Sequence, residues 1–235
     1  MLPFLPGCGN ILLFRILGSF RGSRSVRGRW RLEMYFARHG ETAWNALRRY
    51  QGRSDIPLNS QGEHQARLLG RRICALKPEA IFYSPLLRAK ETARIVGSLW
   101  KEHTLCMPLE DLQEWNFGAW EGLTVEEIEN SYGEAYLRWR QNPGSYVPPG
   151  GESLESLKGR VQQALSRIEA YPFSRVLVVT HGGVVRAALL VLLGLENRSF
   201  WEMTMKNCSL TGVTKKEGAS VLSIYDDDSH LFEAI

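Results

Sequence analysis

Two histidines stand where apolar runs end. Met34-Tyr35-Phe36-Ala37 leads into Arg38-His39-Gly40, and Arg175-Val176-Leu177-Val178-Val179-Thr180 leads into His181-Gly182-Gly183. Short apolar runs rich in aromatic or β-branched residues predict buried strands. In an open α/β sheet the carboxyl edge of the strands is where ligands bind, because departing loops open a crevice there and the next helices point their amino ends into it. One histidine at a strand end is ordinarily a satisfied structural side chain. Two of them, one beside a guanidinium, point to a paired-imidazole site for an anion.

The elements that must bring this pair together alternate along the chain. After the first strand, residues 41–50 predict a short helix or turn, followed by the loop QGRSDIPLNS. Ser60 and Glu63 read as a capping box opening a helix to about residue 76, with Leu68, Leu69, Ile73 and Leu76 at core spacing. A second strand is predicted over 80–83, a helix from Ser84-Pro85 to 99, and a short third strand over 105–107. Thr124 and Glu127 form a second capping box, starting helical material that runs to about 141, where NPGSYVPPGG breaks the chain. A helix over 153–170 precedes the His181 strand. Residues 182–193 are apolar almost all round, as a helix packed on a sheet requires. Two strand-like runs, near 209–214 and 221–225, complete an α/β pattern without repeats.

Composition fits one globular domain: 235 residues, 44% hydrophobic and 23% charged, enough to bury a sizeable core. The net charge of +4 is concentrated at the start, where residues 1–33 hold six of the 29 basic residues but only one of the 25 acidic ones. The remainder, with 23 basic and 24 acidic residues, is nearly neutral, which argues against a nucleic-acid-binding surface. Residues 1–33 read as an N-terminal extension, a disordered leader or targeting segment, whose apolar stretch is broken by Pro3, Pro6 and Arg15 and is too short to span a membrane. Residues 34–235 read as the catalytic domain. Cys8, Cys74, Cys106 and Cys208 lie far apart without a CxxC or Cys/His pairing, so neither zinc nor a disulfide framework is indicated and a cytoplasmic setting is expected.

Four blocks carry a resemblance. Arg38-His39-Gly40-Glu41-Thr42 with Asn45, Ser84-Pro85-Leu86-Leu87-Arg88-Ala89 with Thr92, Glu114-Trp115-Asn116-Phe117-Gly118, and His181-Gly182 occur in the order found in the histidine phosphatase superfamily. The chain from about Met34 to Tyr225 resembles that family. The resemblance implies a phosphoglycerate-mutase-like fold, a three-layer α/β/α sandwich with a mostly parallel central sheet, and a helical cap at about 115–151. It implies His39 as nucleophile and Glu114 as general acid, with Arg38, Asn45, Arg88, His181 and Gly182 as phosphate or substrate contacts; Arg53 is a further candidate contact.

The chemistry is consistent with those residue types. A phosphomonoester carries nearly two negative charges, and displacement at phosphorus needs them neutralised, a nucleophile in line and an acid for the leaving oxygen. Arg38 and Arg88 offer bidentate forks to phosphoryl oxygens. A neutral imidazole nitrogen can attack phosphorus when its partner nitrogen is held in one tautomer. Glu114 must carry its proton near pH 7 to act as the acid. Arginine supplies the cations, so neither metal nor cofactor is expected. Glu121 is the rival carboxylate, and Arg53 either lines the mouth of the site or pairs with Asp55. His64, His103 and His230 read as solvated bystanders. Most of Trp115, Phe117, Trp120, Tyr132, Tyr136, Trp139 and Tyr146 read as cap core, with some facing the pocket.

The favoured activity is metal-independent hydrolysis of a small phosphorylated metabolite through a phosphohistidine, similar to the α-ribazole and broad-specificity phosphatases. The alternatives are a cofactor-dependent phosphoglycerate mutase and a non-catalytic phospho-ligand binder. The mutase is disfavoured because QNPGSYVPPGGES lacks paired arginines for a second phosphate or a carboxylate. A homodimer is left open as the one macromolecular partner.

Overall fold

One sheet holds six strands: β1 (Arg31–Arg38), β2 (Ala80–Tyr83), β3 (Leu105–Pro108), β4 (Arg175–Thr180), β5 (Leu210–Lys216) and β6 (Ala219–Asp227). Their order is β3-β2-β4-β1-β5-β6. The pairs β1–β4, β2–β3 and β2–β4 are parallel, while β5 and β6 close one edge antiparallel. The computed structural model describes residues 31–100 and 105–232; the extension as far as residue 30, and His103, lie outside the described residues.

Side-chain alternation splits the interior into two layers, because successive strand residues point to opposite faces. Met34, Phe36, Val176 and Val178 face one layer, built with α4 (Val125–Gln141), α5 (Leu154–Glu169) and α6 (Gly182–Leu193). Tyr35, Ala37, Leu177 and Val179 face the other, with α2 (Ser60–Cys74) and α3 (Leu87–Ser98). This is the expected three-layer α/β/α sandwich. The β4 side chains from Val176 to Thr180 are all buried, as a central parallel strand covered on both faces requires.

Register decides where the chemistry sits. In the β1–β4 pairing Arg38 lies opposite Thr180, so the next residues, His39 and His181, leave adjacent strands side by side. The bond from His39 N–H to the Thr180 carbonyl, 2.8 Å, extends the ladder to that point.

Several local expectations need correction. β1 begins at Arg31, three residues earlier than expected, because residues 31–33 already pair with β5 and Leu32 is buried. The α2 cap is Asn59, whose side-chain oxygen accepts from Gly62 N–H, and Ser60 is the first helical residue. The helix expected within 41–50 is the single turn α1 (Ala43–Ala46), capped reciprocally by Thr42 and Asn45. His230 is buried against the Cys208 carbonyl at 3.0 Å, so it is no solvated bystander. The second capping box, Thr124 with Glu127, opens α4 as expected.

Candidate active site

His39 is buried at the end of β1 with both ring nitrogens engaged. Nδ1 lies 2.7 Å from the Gly40 carbonyl, which can only accept, so Nδ1 carries the proton. Nε2 accepts from Arg88 Nε–H at 3.2 Å, so its lone pair is present and aimed at a cation. Burial, with Arg88 and Arg38 adding to it, holds this imidazole well below its ordinary pKa. The ring is thus neutral in the tautomer that leaves Nε2 nucleophilic.

His181 packs against it, ring centroids 5.2 Å apart. Its Nε2 shares a 2.7 Å bond with Ser84 Oγ, delivered by the adjacent end of β2, while Nδ1 is buried without a partner. Burial, followed by the Arg88 charge, keeps it well below its ordinary pKa as well. The linkage has a definite sign. Unfolded histidines titrate near 6.5, so below about pH 6.5 the unfolded chain takes up protons that buried neutral His39, His181 and His230 refuse. The stability these three groups support is present above that pH and is lost as pH falls, by up to about 1.4 kcal/mol per group per pH unit. The urea midpoint should therefore drop clearly between pH 7.5 and 5.5. An unchanged midpoint would contradict neutral burial.

The guanidiniums flank the pair. Arg88, fully buried in the first turn of α3, donates to the carbonyls of Gly52 (2.7 Å) and Ser54 (2.8 Å). That loop is in turn pinned by Glu121, which accepts from Arg53 N–H, Ser54 N–H and Ser54 Oγ–H at 2.9, 3.0 and 2.7 Å. At Gly52 φ is +53°, and a Cβ would run into the Glu121 carboxylate, so this turn requires glycine. Glu121 is therefore a loop anchor rather than a cleft residue. Arg38 donates to the Met205 carbonyl at 2.7 Å, and its Nε is buried without a partner.

Glu114 lines the same cleft. One of its oxygens accepts from Trp115 N–H at 2.8 Å, the other from Gly183 N–H at 3.3 Å in the first turn of α6. A side chain at Gly183 would collide with this carboxylate, which explains the second glycine of His181-Gly182-Gly183. The segment bearing Glu114 is held by a pair that sequence reasoning missed. Arg160 grips Glu152 with Nε (2.7 Å) and a terminal nitrogen (2.9 Å), and also donates to the carbonyls of Asp111 (2.9 Å) and Glu114 (3.0 Å). Trp115 Nε1–H donates to the Glu152 carbonyl at 2.7 Å. Breaking a mostly buried bidentate pair leaves an uncompensated charge. Arg160→Met should cost about 3 kcal/mol in urea unfolding and lower kcat by at least about tenfold through misplacement of Glu114. A stable variant with full kcat would show that the clamp does not position the acid.

The cleft encloses about 220 Å³ and is lined by Arg38, Arg48, Arg49, Arg88 and Arg186 against the single carboxylate of Glu114. His39, Asn45, Gly182 and Gly183 also line it, with Tyr50, Trp115, Phe117, Phe200 and Trp201 as aromatic walls. Of the cap aromatics, Trp120, Tyr136 and Trp139 are buried core instead. Arg53 and His181 have partners of their own. Arg53 does not line the cleft: its guanidinium sits 3.6 Å from Glu152, and Asp55 instead accepts from Leu87 N–H at 2.6 Å. His181 touches His39 and holds Ser84 with Nε2, which leaves Nδ1 as its one unpartnered nitrogen. The Asn45 side-chain oxygen is committed to the Thr42 amide at 3.1 Å. Arg48, Arg49 and Arg186 were missed because nothing local marks them; only the last interrupts an apolar helix.

A sheet-edge crevice that gathers five arginines around a neutral buried imidazole is a site for a phosphate-bearing ligand. Residues 34–228 match the family model described as histidine phosphatase superfamily, branch 1, and the chain belongs to that family. It is 32% identical over 204 residues to phosphoserine phosphatase 1 of Hydrogenobacter thermophilus, covering 86% of this chain and 95% of that one. It is 39% identical over 163 residues to phosphoglycerate mutase-like protein 4 of Arabidopsis thaliana, covering 66% and 68%. The α-ribazole phosphatase of Shigella flexneri superimposes with a TM-score of 0.75 at 25% identity, covering 83% of this chain and 96% of that structure.

Proposed function

We propose that the protein hydrolyses small phosphomonoesters without a metal, through a phosphohistidine on His39. The observation that carries this reading is the pairing at His39, where the Gly40 carbonyl fixes the tautomer and the Arg88 guanidinium meets the Nε2 lone pair. An incoming phosphoryl group takes the place between that nitrogen and the arginines. Arg38 Nε and His181 Nδ1, both buried and unpartnered, supply donors toward its oxygens, and the α6 amino end adds its dipole beside Gly182. These donors act where negative charge builds in the transition state.

Nε2 of His39 attacks phosphorus as the ester oxygen departs. Glu114, in the same cleft, hands that oxygen a proton. After the alcohol leaves, the carboxylate takes a proton from water, which attacks phosphorus, breaks the N–P bond and restores neutral His39. The small volume supports a metabolite rather than a macromolecule as substrate, and the near-neutral charge outside residues 1–33 supports the same conclusion. Among the described residues no helix is long and apolar enough to cross a membrane. A cytoplasmic setting is part of this reading.

The surplus of arginines favours one second reading, a phosphoglycerate-mutase-type transfer, whose substrates carry further anionic groups. A phosphate-release screen separates the two. Purified protein is offered sugar phosphates, phosphoglycerates, phosphoserine and α-ribazole phosphate in EDTA, with and without 2,3-bisphosphoglycerate. The hydrolase reading predicts phosphate release undiminished by chelator. Isomerisation that depends on the bisphosphate would favour the mutase, and activity lost in EDTA and restored by a divalent ion would overturn the metal-free mechanism.

A further inference from the structure

Arg186 is a cleft cation the phosphoryl chemistry does not use. It stands one turn into α6, and Nε donates to the Met203 carbonyl at 2.7 Å. Its guanidinium carbon lies 5.7 Å from the Phe200 ring centre and 5.5 Å from that of Trp201. Among the described residues no carboxylate pairs with it, and its terminal nitrogens make no hydrogen bond. Burial, with Arg38 second, lowers its pKa to about 10. Partly burying a guanidinium is costly, and the Glu114 charge and the aromatic faces offset part of that cost.

Its distance from the phosphate donors is bounded. From the point where a Cβ on Gly182 would sit, an Arg186 terminal nitrogen lies 3.4 Å away and Arg38 Nε 3.7 Å, so the two cations are at most about 7 Å apart. The absence of a side chain at Gly182 leaves the space between them clear. A phosphate held by Arg38 would thus place a group two or three carbons along the substrate beside Arg186, given bonds of roughly 1.5 Å. We propose that Arg186 is a second anion subsite that selects short phosphorylated acids, with the guanidinium fork receiving a carboxylate. This rests on the reading of the cleft as a phosphomonoester site and adds its substrate class. The expected lack of paired arginines in residues 141–153 is real, but the cation arrives from α6.

Non-hydrolysable phosphonates test this by binding alone. Calorimetry with 4-phosphonobutanoate and with butylphosphonate compares the same chain with and without the carboxylate. The wild-type protein should bind the acid about 10- to 100-fold more tightly, and Arg186→Gln should erase that ratio, with Arg186→Lys retaining part of it. A wild-type ratio near one, or a ratio that survives in Arg186→Gln, would overturn the proposal. Because a ratio is read, a general loss of phosphonate affinity cancels. Should the protein release phosphate from no ester in the parallel screen, the hydrolase reading fails while this ratio still decides the subsite.

Discussion

His39→Ala lowers kcat/KM for every phosphomonoester by at least about four orders of magnitude, the scale on which removal of a covalent nucleophile is felt. The reason is geometric. Nε2 of His39 carries a lone pair fixed by its tautomer and lines the cleft, whereas Nε2 of His181 is bonded to Ser84. His181→Ala should cost less, because it removes a donor toward phosphate oxygens rather than the attacking atom. Steady-state kinetics of both variants, with circular dichroism to verify folding, make the comparison; His39→Ala within tenfold of wild type would contradict the assignment.

Glu114→Gln separates the two halves of the reaction. A general acid matters most when the leaving alcohol is poor, so alkyl phosphates should lose roughly two to four orders of magnitude. With p-nitrophenyl phosphate the phenolate leaves without a proton, so phosphorylation of His39 is spared while water attack remains slow. Stopped-flow traces should then show a burst of nitrophenol equal to the enzyme concentration, followed by a slow steady state. Glu121→Gln should show no such burst, because that carboxylate holds Arg53 and Ser54 and acts on Arg88 only through the loop. The opposite pattern would show that the wrong carboxylate had been assigned.

What the sequence revealed depended on how local the signal was. His39 and His181 each close an apolar run, so they were legible as a strand-end pair, and Arg88 was legible from the block that contains it. Their adjacency was not: it follows from the Arg38–Thr180 register between strands some 140 positions apart. The same limit hid Arg160, which reaches back to Asp111 and Glu114, and the anchoring role of Glu121, which pins residues 53 and 54. Arg53 shows the converse, since Asp55 is its neighbour in sequence but Glu152 is its neighbour in space. His230 looked solvated near the chain end, yet it is buried against Cys208. Arg186 sits in a helix that reads as apolar almost all round, and its side chain lines the cleft.

The central claim, a phosphoryl group carried on His39, is tested most directly by trapping it. Brief exposure to phosphorus-32-labelled substrate, quenched without acid, should leave a phosphoprotein stable to base and labile to acid, with the label on the peptide containing His39 and absent from His39→Ala. Label on His181, or turnover without any covalent phosphoprotein, would contradict the account.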